Sequence, residues 1–182
     1  MSSLLPTKLQ DLEPKLAWQP WQPSAEQPFD TKWAGHLFRR AGFGASPTEI
    51  RKAVREGFEP TLTRLLEGEP SATTRRELFE AAGESFAETN ELEKLRAWWL
   101  TLMLHGGHPL REKLTLFWHN HFATSIAKVR SAPQMLRQNQ LLRTHALGKF
   151  STLLRELSRD PAMLLWLDSN QNLKAHPNEN FA

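Results

Sequence analysis

The sequence predicts an all-α fold: a multi-helix orthogonal bundle preceded by an extended strap rich in Pro and Trp. Three observations predict it. Apolar residues recur at helical spacing after residue 31, and Leu92, Leu95, Trp99, Leu102 and Met103 make the clearest stripe. Helix starts and stops alternate along the chain, as in Ser46-Pro47 with Glu49, Gly106-Gly107 before Pro109, and Gly148. No run alternates with the period of two that marks a half-buried strand.

The elements follow in order. Residues 1–30 read as an arm, because Pro14, Pro20, Pro23 and Pro28 forbid a long helix. Trp18-Gln19-Pro20 and Trp21-Gln22-Pro23 form a small repeat, expected to dock its rings as a strap on the helical domain at 31–182. A first helix covers 31–40. Ser46 then caps a second, Pro47 takes its first position, and Glu49 completes a capping box. Shorter helices follow at 60–67 and at 73–88, the latter charged and expected to be exposed. From Leu92 to Gly106-Gly107 the chain is apolar nearly all round, since Trp98, Leu100 and Leu104 widen the stripe. The helix opened by Pro109 carries Leu110, Leu114, Phe117, Trp118 and His121 on one face. Helices at 133–147, 150–158 and 161–167 complete the set. The polar segment 168–182 leads into a helix start at 178–182, so 31–182 reads as the front portion of a larger helical domain.

Composition bounds the function. The 182 residues are 40% hydrophobic and 24% charged, an ordinary globular balance. Cys is absent, which excludes disulfides and thiolate-bound metals. No run reaches the roughly 18 apolar residues that span a membrane, and the amino terminus lacks the apolar core of a secretory signal. The expectation is a cytoplasmic chain without a membrane partner. Residues 1–93 hold 11 basic and 15 acidic residues, a net −4, whereas 94–174 hold 12 basic and 4 acidic, a net +8. The basic region admits nucleic acid as a partner, but no nucleic-acid motif accompanies it, and a solvated surface is the favoured reading. Arg137 and Arg143 lie six residues apart and do not share a helix face. An Arg on such a helix is expected to cap a carbonyl or to pair with a carboxylate such as Asp168.

Four segments together resemble one family: HLFRRAGFGASPTEI (36–50), LREKLTLFWHNHFATS (110–125), KVRSAPQMLRQNQLLRTHALGKF (128–150) and RDPAMLLWLDSNQNLKAHPNENFA (159–182). The resemblance is to the bacterial domain of unknown function 1800 family, over roughly 33–182. It implies a helical domain whose further half would follow these segments. It implies no reaction, because the family carries no established activity or catalytic residues. Many relatives look exported, and this chain departs from them in showing no signal.

Two blocks could carry chemistry. His119-Asn120-His121 spells the name of a nuclease motif, but that motif draws its residues from separate elements, so the tripeptide on a helix does not qualify. Residues two apart on a helix point nearly opposite ways. His121 falls on the apolar stripe and is the expected buried imidazole, with His119 on the other face. The second block is the loop 168–179. Asp168, Asn170, Asn172 and Glu179 match positions one, three, five and twelve of a calcium loop. Leu173 stands where that loop needs Gly, which counts against it, and a loop held by its own amides is the favoured reading.

A third reading joins the blocks. His119 or His121 with Asp168, Asn172, His176 and Glu179 would form a polar site for a divalent metal or for proton exchange. Its rivals are a non-catalytic binding or scaffold protein, in which both blocks are structural, and nucleic-acid binding through 94–174. Self-association is expected if the apolar surface around 98–104 lacks a cover.

Overall fold

The computed structural model describes residues 14–175 together with Pro177 and Asn178. Among them the chain forms helices and no strand, as the periodicity predicts. The helices are α1 (Pro14–Ala17), α2 (Thr31–Ala41), α3 (Pro47–Glu56), α4 (Phe58–Glu67), α5 (Thr73–Glu88), α6 (Leu92–His105), α7 (Pro109–Phe122), α8 (Ile126–Val129), α9 (Ala132–His145), α10 (Phe150–Leu157) and α11 (Pro161–Trp166). Short 3-10 turns occupy Pro70–Ala72 and Ser169–Gln171.

Side-chain caps set several of these boundaries. The Ser46 hydroxyl accepts the Glu49 N–H at 3.2 Å, while the Ser46 N–H donates to the Glu49 carboxylate at 2.7 Å. The same bonds hold the Glu49 carboxyl below its ordinary range. Asp30 caps α2 through the N–H groups of Lys32 and Trp33, so the helix starts at Thr31 as the sequence predicts, on a cap the sequence reading did not name. Ser125 caps α8, which spans four residues and is too short to show a period.

Two hydrophobic clusters form the core. Trp98 and Leu102 of α6 meet Ala87 of α5 and Leu136 of α9 in one of them. Leu142 of α9 joins Leu153, Leu157 and Met163 of α10 and α11 in the other. Helix α9 takes part in both and is the axis of the packing. Its inward residues are not all apolar, because Gln138, Asn139 and Arg143 are buried beside Leu136 and Leu142.

Three expectations need correction. The helix at 73–88 is not simply exposed: Gly83 and Ala87 are buried, and the Trp98 indole lies against Gly83. Its charges hid a narrow inward face of small residues. The arm is only partly extended, since residues 14–17 form a helical turn. Of its two repeats only the second docks, with Trp21 stacked on Trp33 at 4.9 Å and edge-on to Phe58 at 5.3 Å, while Trp18 is 87% exposed.

The third correction concerns α7. Its fully buried side chains are Glu112 and Thr115, with His108 buried just before it, while Phe117 and His121 are exposed. The face at 108, 112, 115 and 119 turns inward, and that face is polar. The physical reason is an ion pair. Arg143 of α9 donates to both oxygens of Glu112, at 2.8 and 3.2 Å, and its guanidinium lies 5.4 Å from the Trp98 ring centre. A bidentate pair satisfies both groups and makes their burial tolerable. Arg143 therefore pairs with Glu112 and not with Asp168.

Candidate functional site

The polar face of α7 opens at its carboxy-terminal end into a cleft of about 190 Å³. Leu92, Leu95, Trp98 and Trp99 of α6 form one wall, and Met135, Leu136 and Asn139 of α9 form another. Arg96 of α6, which also pairs with Glu93, joins His119, Thr124, Ser125 and Ile126 in completing it. The lining is mainly apolar with a few polar groups, the composition expected of a small-molecule site. A cavity of about 150 Å³ holds benzene, so this cleft has room for a single-ring molecule.

Two polar groups of the cleft lack partners, although Ser125 and Arg96 are engaged by Ala127 and Glu93. Asn139 is 7% exposed, yet its Oδ1 is buried without a hydrogen-bond partner among the described residues. The Trp99 Nε1 donor is likewise buried and unpartnered. Buried polar atoms without partners cost about 1–3 kcal/mol each. The acceptor and the donor are buried on two residues that line one mainly apolar cleft. Beside them, His119 meets the Trp99 ring edge-on at 5.1 Å. Burial lowers its pKa below 6.5, so the imidazole is uncharged at neutral pH and keeps one donor and one acceptor.

A larger cleft of about 420 Å³ lies between α3, α4, α6 and the start of α7. Most of its charged groups are already occupied. Glu49 closes the α3 capping box, Arg64 pairs with Glu56 at 2.6 Å, and Arg75 donates to the His105 carbonyl at 2.7 Å. The smaller cleft has the stronger claim because two of its lining residues, Trp99 and Asn139, carry buried polar atoms without partners.

The residues singled out in the sequence divide between these surroundings. His119 enters the cleft. His121 does not: it is exposed and stacks on Phe117 at a 6.0 Å ring separation, the reverse of the expected roles. Asp168 has left-handed φ of 56° and accepts from Lys128 at 2.7 Å. Asn172 accepts the Asn178 N–H at 3.0 Å, and the Asn178 amide donates to the Leu167 carbonyl at 2.5 Å. Asn170 is exposed within the 3-10 turn. None of Asp168, Asn170 and Asn172 lines the cleft that holds His119. His176 and Glu179 lie outside the described residues. Among the described residues, no three His, Asp or Glu side chains are grouped so as to hold a metal ion. Arg130 and Arg137 are exposed, but Arg143 is 6% exposed inside its ion pair, so the three do not make one basic face. Trp98 and Leu102 are covered, whereas Leu100 and Leu104 are 60% and 70% exposed.

Sequence reasoning missed Glu112, Arg143, Asn139 and Trp99 as members of the polar interior. A usable signal was the spacing His108, Glu112, Thr115, His119, which falls on one helical face.

The buried histidines make stability depend on pH. Burial, and then the positive charges of Arg111 and Arg76, push the His108 pKa down to about 4, with Glu112 opposing. A folded pKa below the unfolded value near 6.5 gives stability that is complete above 6.5 and lost as pH falls toward 4. His119 acts in the same direction. Asp160 acts oppositely: burial raises its pKa, so its contribution is lost as pH rises through the folded value. Urea unfolding between pH 7 and 4.5 is expected to show a loss on the order of 2 kcal/mol that His108→Gln removes. An unchanged pH slope in that variant would contradict the assignment.

No helix of the described residues is long and apolar enough to cross a membrane. No curated protein and no solved structure matches the chain. A family model does match: the one described as "Protein of unknown function (DUF1800)" covers residues 36–182, and the chain belongs to that family.

Proposed function

We propose that the cleft between α6, α7, α8 and α9 binds a small, flat, largely apolar molecule with one donor–acceptor edge. The observation that carries this reading is the pair of buried, unpartnered polar atoms, Asn139 Oδ1 and Trp99 Nε1, on two residues that line a mainly apolar cleft. An amide or lactam edge complements them, with its N–H on Asn139 and its carbonyl on Trp99. The uncharged His119 imidazole is the group in the cleft able to accept or donate a proton. This reading keeps the FWHNHF helix as the polar part of the site. The loop after α11 is read as structural, since Asp168, Asn172 and Asn178 are engaged by Lys128, by one another and by the Leu167 carbonyl.

Asn139→Leu tests the reading. The variant removes a buried unpaired carbonyl, so stability is expected to rise by about 1 kcal/mol. Binding of benzamide, which carries one ring and one amide, is expected to weaken at least tenfold by calorimetric titration. Equal affinity for the variant and the unaltered protein, or no binding to either, would overturn the proposal.

A further inference from the structure

The opposite end of α7 holds a second set of unpartnered polar groups, about 12–16 Å from His119 at 1.5 Å rise per residue. Glu112 is taken by Arg143. Two further guanidiniums crowd the same region. Arg111 of α7 is held below its ordinary range by burial and then by the charge of Arg76 of α5. Arg143 adds in the same sense, while Glu112 and Glu80 oppose. Three Arg thus face two carboxylates, which leaves one positive charge uncompensated. Among the described residues neither Arg76 nor Arg111 forms an ion pair, and the Nε of each is buried without a hydrogen-bond partner.

His108 adds an independent observation. It is 5% exposed, its Nδ1 is buried without a partner on another residue, and as the residue before α7 it caps nothing with its side chain. Its ring is held in place by Gly68, at φ +82°, where an added Cβ would stand 2.8 Å from the ring carbon Cδ2. An uncharged imidazole can keep its proton on Nδ1 and donate it. The amino-terminal turn of a 14-residue helix contributes partial positive charge at the same place.

We propose that Arg76, His108 and Arg111 form a binding site for a small oxyanion at the amino-terminal end of α7. Buried charge is stable only when paired, and an oxyanion would accept from both guanidiniums and from the His108 N–H while offsetting the excess charge. Arg side chains suit that role because their planar forks match oxyanion geometry. The site is separate from the cleft at His119, so either can fail without the other.

Thermal unfolding in sodium phosphate, sodium sulfate and sodium acetate, each against sodium chloride of equal ionic strength, tests the proposal. Phosphate and sulfate are expected to raise the midpoint by several degrees in a saturable way. The rise is expected to vanish in Arg76→Gln/Arg111→Gln. A response to acetate alone would assign the site to carboxylates within the same oxyanion class. If the double variant fails to fold, Arg76→Gln carries the same test, with at least half the response lost. Midpoints no higher in any of the three salts than in chloride, or an undiminished response in the variants, would overturn the proposal.

Discussion

Glu112→Gln is expected to destabilise the fold by about 3–5 kcal/mol, the usual cost of leaving one member of a buried ion pair alone. The reason lies in the burial of both groups: the side chains of Glu112 and Arg143 are 2% and 6% exposed. Gln keeps the shape and one acceptor but loses the charge that offsets the guanidinium. Arg143 also lies over Trp98, so it cannot swing to solvent without disturbing the α5–α6–α9 cluster. The double replacement Glu112→Leu with Arg143→Met removes both charges and is expected to recover most of the loss. Urea unfolding of the two variants measures this directly. A loss below about 1 kcal/mol for Glu112→Gln would show that the pair is not the determinant of α7 orientation.

Gly83→Ala gives the second large effect, and its sign is informative. On propensity alone Ala in the middle of a helix is favoured over Gly by about 1 kcal/mol. Here the added Cβ would stand 2.5 Å from Trp98 Cε2 and 2.7 Å from its Nε1. The indole cannot easily yield, because its Nε1 donates to the Phe79 carbonyl at 2.5 Å and its ring is 5% exposed. Overpacking of this kind costs about 1–3 kcal/mol or more. With no room for the indole to yield, the cost falls at the upper end of that range, and less the propensity gain it leaves about 2 kcal/mol, a melting temperature lower by roughly 4–8 °C at 2–4 °C per kcal/mol for a chain of this size. Trp98→Leu is expected to reverse the sign of the Gly83→Ala effect by freeing the space. A Gly83→Ala variant as stable as the unaltered protein would contradict the close approach of α5 and α6.

Most of the helices were legible from local chemistry. Ser46, Pro47 and Glu49 specify a start regardless of tertiary context, and Gly106-Gly107 with Pro109 separates α6 from α7 equally plainly. What the sequence concealed was facing. An apolar stripe is normally the buried one, so Leu114, Phe117 and His121 pointed to the wrong side of α7. The true inward face is chosen by a partner 31 residues away, Arg143; the spacing of His108, Glu112, Thr115 and His119 marks that face but does not name its partner. The same holds for α5, where the buried residues Gly83 and Ala87 carry too little apolar signal to stand out against Glu77, Glu80 and Glu84. His119 was named as a candidate, but its companions were sought in the loop after α11. Trp99 and Asn139 were passed over because each reads as ordinary helix filling until its unpaired polar atom is seen.

The central claim is that a ligand's polar edge meets Trp99 and Asn139 beside an uncharged His119. The most direct measurement is the 15N–1H spectrum of the indole N–H groups during titration with benzamide. The Trp99 signal is expected to move in a saturable way. The Trp118 signal is expected to stay in place, since that indole already donates to the Ala146 carbonyl at 3.3 Å. A Trp99 signal that stays in place, or that drifts without saturation together with all the others, would contradict the account.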